Sequence, residues 1–150
     1  VEFDTEAAVT ETISVGGAYT FLSARDAEND RDLTGRHPHH GSVRVSWQPS
    51  QTGFRASLRG TVYSSWIAAR ATLPTGGVQD TMAPRFALWD AFVSQRLVKG
   101  LSAFVTVDNL TDSQDPNTSV LLPTGAPAAI FRPEAGRTAR VGVQWSFSAN

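Results

Sequence analysis

Two clusters of ligand-type side chains stand out. His37, His39 and His40 share one polar stretch, and Asp108, Asp112 and Asp115 share another. Imidazoles could bind a metal or haem, and close-set carboxylates could bind calcium. Neither pattern carries through. No carboxylate or second ligand set stands at metal spacing from the histidines, which read as a polar lead-in to a strand. The aspartates lack the glycine and terminal glutamate of an EF-hand loop and suit a strand end with its turn. Serine, histidine and aspartate are all present, but no Gly-x-Ser-x-Gly or other nucleophile setting surrounds them. The expectation is a non-enzyme with no catalytic residue, no metal site and no cofactor.

A third set is larger. Glu2, Asp4, Glu6, Arg44, Arg55, Arg59, Asp90, Arg96 and Arg140 all lie in segments where apolar and polar residues alternate. Strand side chains alternate faces with period two, so each segment has an apolar face and a face carrying these charges. Thr138–Phe147 is the pattern in its plainest form. Ala139, Val141, Val143, Trp145 and Phe147 fall on one parity, and Arg140, Gly142, Gln144 and Ser146 on the other.

The same reading gives six more strands. Val1–Ala8 sets Phe3 and Ala7 against Glu2, Asp4 and Glu6. Ile13–Ala24 sets Ile13, Val15, Tyr19 and Phe21 against Ser14, Ala18 and Thr20. Ser42–Trp47 sets Val43, Val45 and Trp47 against Arg44. Phe54–Trp66 carries Leu58 and Val62 opposite Arg55 and Arg59. Leu101–Asn109 is also regular. Arg85–Leu97 alternates least well: Phe86, Leu88 and Phe92 share the parity of Asp90 and Arg96, which implies a partly apolar interior there. Three acids on one face of a strand need water or cations, since dry burial of charge is costly. An arginine facing lipid at mid-depth would cost roughly 2–4 kcal/mol, so the charged parity faces inward if a membrane is present.

The connections are sorted by length. They run short, long, short, long, short, long: 9–12, 25–40, 49–53, 67–84, 99–100 and 110–137. In an antiparallel meander alternate connections lie at opposite ends, so all short turns share one end and all long loops the other. An outer-membrane barrel is built this way; a sandwich has no reason to be. The expected fold is all-β, an antiparallel meander of about seven strands forming a segment of a large transmembrane β-barrel.

Composition is compatible. The chain has 150 residues, a net charge of -1 and no cysteine, so nothing suggests a nucleic-acid partner or a disulfide framework. Mean hydropathy is -0.19, a value that averages over alternating faces and is blind to membrane barrels. The odd strand number, and a start at Val1 without initiator Met or leader, suggest a piece of something longer. A small complete outer-membrane barrel with a structural or adhesive role is the alternative, and it requires an even strand count. A soluble ligand barrel is a third reading, opposed by the inward arginines and acids.

Four ordered motifs carry a resemblance. They are A-Y-T-F-L-S-A-R-D (Ala18 to Asp26), L-T-G-R-H-P-H-H (Leu33 to His40), G-L-S-A-F-V-T-V-D-N-L-T-D (Gly100 to Asp112) and P-E-A-G-R-T-A-R-V-G-V-Q-W-S-F (Pro133 to Phe147). Together they resemble the C-terminal barrel region of TonB-dependent outer-membrane receptors. The resemblance implies a barrel of about 22 strands around a plug, importing a scarce nutrient such as a ferric siderophore, haem or cobalamin. It implies outer-membrane lipid, the plug and remaining strands, the TonB complex and the barrel assembly machinery as partners. Val141, Val143, Trp145 and Phe147 would then be a lipid-facing assembly signal, although Ser148, Ala149 and Asn150 follow where the family commonly stops. The inward arginines and acids would form lumen ion pairs with each other or the plug, or line a ligand path.

Overall fold

The computed structural model describes residues 1–113, 120–121, 127–128 and 136–147. Among the described residues thirteen strands follow in this order: β1 Glu2–Ala8, β2 Ile13–Phe21, β3 Arg25–Asp26, β4 Arg31–Asp32, β5 His39–Trp47, β6 Phe54–Tyr63, β7 Trp66–Thr72, β8 Val78–Ala83, β9 Phe86–Val98, β10 Leu101–Asp108, β11 Val120–Leu121, β12 Pro127–Ala128 and β13 Thr138–Trp145. Seven of them form one antiparallel sheet, ordered β1-β2-β5-β6-β9-β10-β13. These are the seven expected strands, each beside its neighbour in sequence. The sheet is open. Among the described residues β13 pairs with β10 alone and β1 with β2 alone. The eighth strand that a small complete barrel requires is not among them.

Register puts the apolar parities of all seven strands on one face. Ala7 lies opposite Val15, Val15 opposite Val45, Val45 opposite Leu58, and Leu58 opposite Ala91. A one-residue slip at any pairing would move a strand's whole apolar set to the other side, so the match recurs at every seam by selection of register. The face is not covered by other protein: Val43, Leu58, Val105 and Val141 are all exposed. Gly60 interrupts it beneath a ring. The Trp89 side chain from the opposed position lies where a Cβ on Gly60 would come within 2.7 Å. The aromatic thereby covers backbone that glycine leaves bare.

The outer connections depart from expectation. The stretch 67–84, expected as an irregular loop, is largely the β7–β8 hairpin. It extends the β6–β9 ladder: Tyr63 opposes Phe86 and, three residues on, Trp66 opposes Ala83. Pro84 and the flanking Ser64 and Ser65 break the hydrogen bonding between the two halves, because proline cannot donate to a ladder. Trp66 therefore starts β7 rather than ending β6. The stretch 25–40 holds the two-residue β3–β4 ladder, and β5 begins at His39, three residues before the expected start. Trp66, Ala68 and Ala83 form the buried apolar cluster among the described residues, and it lies in the outer hairpin instead of the sheet.

At the opposite end the turns are tight. Gly100 adopts φ 82°, left-handed backbone that favours glycine, and closes β9 onto β10. A bulge between Leu101 and Ser102 lets Leu101 face Val98 while Ser102 faces Arg96, so Leu97 is the extra residue.

Candidate functional site

The second face of the sheet gathers the charges. One row of opposed residues reads Glu6, Gly16, Arg44, Arg59 and Asp90. Arg44 and Arg59 are directly opposed, an arrangement of like charges that destabilises a strand pair. Both line a hollow of about 220 Å³ with Asp4, Glu6, Ser42 and Ser46. They also line a neighbouring hollow of about 410 Å³ with Arg55, Asp90, Thr106 and Asp108. A third hollow, of about 380 Å³, brings Arg55 and Arg96 beside Ser102, Phe104 and Gln144. The expected partly apolar patch is there too, with Phe92 and Phe104 stacked at 6.4 Å.

Few of these charges pair with one another. Arg140 forms an ion pair with Asp108 across β10–β13. Arg55 Nε donates to Gln48 Oε1 at 3.1 Å. Among the described residues no carboxylate oxygen lies within 4.0 Å of Arg44, Arg59 or Arg96. Glu2 and Asp4 share the face at the outer end of β1, opposite Thr20 and Ala18. Among the described residues the arginines of the set form no ion pair with its acids; Arg140 pairs with Asp108, which lies outside the set.

Asp90 has a second task that its parity did not reveal. Its Oδ1 accepts the Asn109 N–H at 3.0 Å, just past the end of β10. Asn109 is 5% exposed and adopts φ 52°. Its amide clamps the turn from both sides: Nδ2 donates to Ser113 O at 2.7 Å, and Oδ1 accepts from Ser113 N at 2.9 Å. Asp112, also left-handed at φ 53°, accepts the Arg137 N–H at 2.8 Å. Asn and Asp tolerate this conformation through local hydrogen bonds, which explains why Asn-Leu-Thr-Asp closes the strand. Asp108 and Asp112 accordingly serve a strand end and turn, while Asp115 lies outside the described residues.

Near the outer rim the histidines part company. His39 accepts or donates a 2.6 Å hydrogen bond with Tyr19 Oη and packs on Phe21 at 5.0 Å. His40 stacks on Tyr63, which stacks on Phe86 at 4.7 Å. His37 sits against Tyr63, Trp66 and Phe86, and its Nδ1 donates to Ser64 O at 3.1 Å. The sequence spacing suggested one cluster; strand alternation divides it. His40, Tyr63 and Phe86 share the parity of Arg44, Arg59 and Asp90. A ring platform therefore stands above the arginines on the same face. Sequence reasoning missed this platform, whose signal was the aromatic at the outer end of each of two adjacent strands.

No family model matches the chain, and no curated protein sequence matches it. Solved structures do. The copper transporter OprC superposes with TM-score 0.74 over 97% of this chain and 23% of its own, at 18% identity. The chain has the fold of the barrel wall of a TonB-dependent receptor. FpvA of P. aeruginosa, in complexes with ferric pyoverdines, gives 0.72 over 97% of this chain and 19% of its own, at 15% identity. The FrpB iron transporter from Neisseria meningitidis gives 0.69 over 97% and 23%, also at 15% identity. The chain spans about a fifth of the length of each.

Proposed function

We propose that the chain is the C-terminal part of the barrel of a TonB-dependent receptor in the bacterial outer membrane. The observation that carries this is the open seven-stranded sheet, apolar along one exposed face and charged along the other. Exposed Val43, Leu58, Val105 and Val141 have no covering layer and suit contact with lipid. Arg44, Arg55 and Arg59 suit a wet lumen, and two free sheet edges suit further strands on both sides. Val141, Val143, Trp145 and Phe147 form the apolar finish that the assembly machinery reads.

The transported class is a metal chelate or other scarce nutrient: a ferric siderophore, haem or cobalamin. The similar structures are named for copper, ferric pyoverdine and iron transport, which supports that class. The ring platform of His40, Tyr63 and Phe86 above Arg44 and Arg59 supports a path for an anionic, partly aromatic solute. Energy would come from the TonB complex through a plug, and no chemistry on the solute is required.

The test is genetic and biochemical. Immunodetection should find the protein in the outer-membrane fraction. Deleting its gene should abolish growth on at least one of a panel of ferric siderophores, haem or cobalamin as sole source. Inner-membrane or soluble localisation would overturn the reading, as would unchanged growth across the panel.

A further inference from the structure

Beyond the outer ends of β2 and β5 lies a cleft of about 390 Å³ between the β3–β4 segment and the β7–β8 hairpin. Phe21, Leu22, Leu33, Trp66, Ile67 and Met82 form its apolar walls, and Arg36 supplies a cation. Asp32 also lines it, but lies 3.5 Å from Arg25 Nε through its Oδ1. Among the described residues no carboxylate oxygen comes within 4.0 Å of the Arg36 guanidinium.

The walls are tied together rather than merely adjacent. Gly35 N donates to Ile67 O at 2.9 Å, and Leu22 N to Pro38 O at 2.9 Å. Arg70 on β7 holds Asp80 on β8 and also donates from Nη1 to Asp32 O at 2.9 Å. The two outer hairpins therefore form one frame around the cleft.

The position of the cleft restricts its occupant. Phe21 ends the apolar parity of β2 and also lines the cleft, so the two surfaces are continuous. The rings of Tyr19, Phe21 and His39 mark the same level, where aromatic side chains meet lipid headgroups. An apolar hollow here with one cation matches an amphiphile that has a chain and an anionic head. A soluble anion would leave the walls wetted. An uncharged chain would leave Arg36 without an acceptor.

We propose that this cleft binds a phosphorylated lipid of the outer leaflet. An acyl chain lies along Phe21, Leu33 and Met82, and the phosphate accepts hydrogen bonds from the Arg36 guanidinium. The proposal rests on the membrane reading above and adds a lipid site to it.

The full chain, refolded in detergent, would be titrated with dioleoyl phosphatidic acid and followed by native mass spectrometry. Dioleoylglycerol tests the chain without the charge, and glycerol phosphate tests the charge without the chain. Phosphatidic acid should be retained, with both fragments at least about tenfold weaker and Arg36→Gln also weaker by about tenfold. Arg36→Lys should keep most of the affinity, and Leu33→Asp should lose it with the sheet intact by circular dichroism. Equal retention by wild type and Arg36→Gln would overturn the site, as would retention unchanged in Leu33→Asp. Glycerol phosphate binding as tightly as the lipid would reduce it to a phosphate site and overturn it too. A chain that enters phosphatidylcholine vesicles but shows no such selectivity defeats this proposal alone. Absence of the protein from the outer-membrane fraction of cells would instead defeat the membrane reading beneath it.

Discussion

Arg70 grips Asp80 across the β7–β8 hairpin with two parallel hydrogen bonds, Nε to Oδ1 at 2.6 Å and Nη2 to Oδ2 at 3.0 Å. The fork geometry of guanidinium and carboxylate makes this a stronger pair than a surface contact between point charges. The Arg70 hydrogen bond holds the Asp80 carboxyl below its ordinary value of 3.8, and the same bond raises Arg70.

The tie should be acid-sensitive. A carboxyl whose folded pKa is depressed stabilises the fold above its unfolded pKa and loses that contribution as pH falls through the folded one. The hairpin should be intact at neutral pH and loosen progressively below about pH 4. Amide shifts of Thr72 and Val78, followed by NMR on acidification, should report it. Asp80→Asn should remove the pH dependence, and its persistence in that variant would refute the assignment.

Asn109 should be expensive to replace. Asn109→Ala loses the two side-chain hydrogen bonds to Ser113 and puts an alanine at φ 52°, for a cost of about 2–3 kcal/mol. Asn109→Gly keeps the backbone and should recover part of that loss. Urea unfolding of the refolded chain checks both, and equal stability of all three proteins would contradict the clamp.

Gly60 is needed as a glycine because of Trp89. A valine there would drive its Cβ into the indole and cost about 1–3 kcal/mol. Trp89→Ala should relieve most of that penalty. A purely additive double mutant would show the two residues to be uncoupled.

The opposed pair Arg44 and Arg59 should be uncomfortable in the isolated chain. Arg44→Ser removes a like-charge opposition and should be neutral or stabilising by about 0.2–1 kcal/mol, more so at low salt. A clear loss of stability would mean that an anionic group neutralises the pair.

Trp145 and Phe147 are 65% and 83% exposed at the end of the apolar face. On the proposed reading, replacing both with Asp in the full-length receptor should abolish outer-membrane insertion, because charge on a lipid-facing strand is costly. Normal insertion in cell fractionation would remove the assembly role.

The sheet was legible in the chain because strand alternation is a local property. Val43 and Arg44 must point opposite ways whatever the fold, and seven such segments with sorted connections leave little choice of topology. The charges Arg44, Arg55, Arg59 and Asp90 could be assigned to a common face for the same reason. The hairpin at 66–83 was hidden, although Arg70 and Asp80 flank a Pro74–Gly77 turn of the right composition. Glycine and proline suit a loop as well as a hairpin turn, and only the continuation of the β6–β9 ladder past Pro84 makes the hairpin.

Residue order alone therefore determined the strands, their faces and the end at which the long connections lie, since each follows from period two and antiparallel succession. It could not determine which charges meet. Register decided that Arg44 opposes Arg59 while Asp90 turns to hold Asn109, and that the three histidines divide between Tyr19 and the Tyr63–Phe86 stack. Those pairings depend on the stagger between strands distant in sequence, set by the summed packing of every seam, which no single segment encodes.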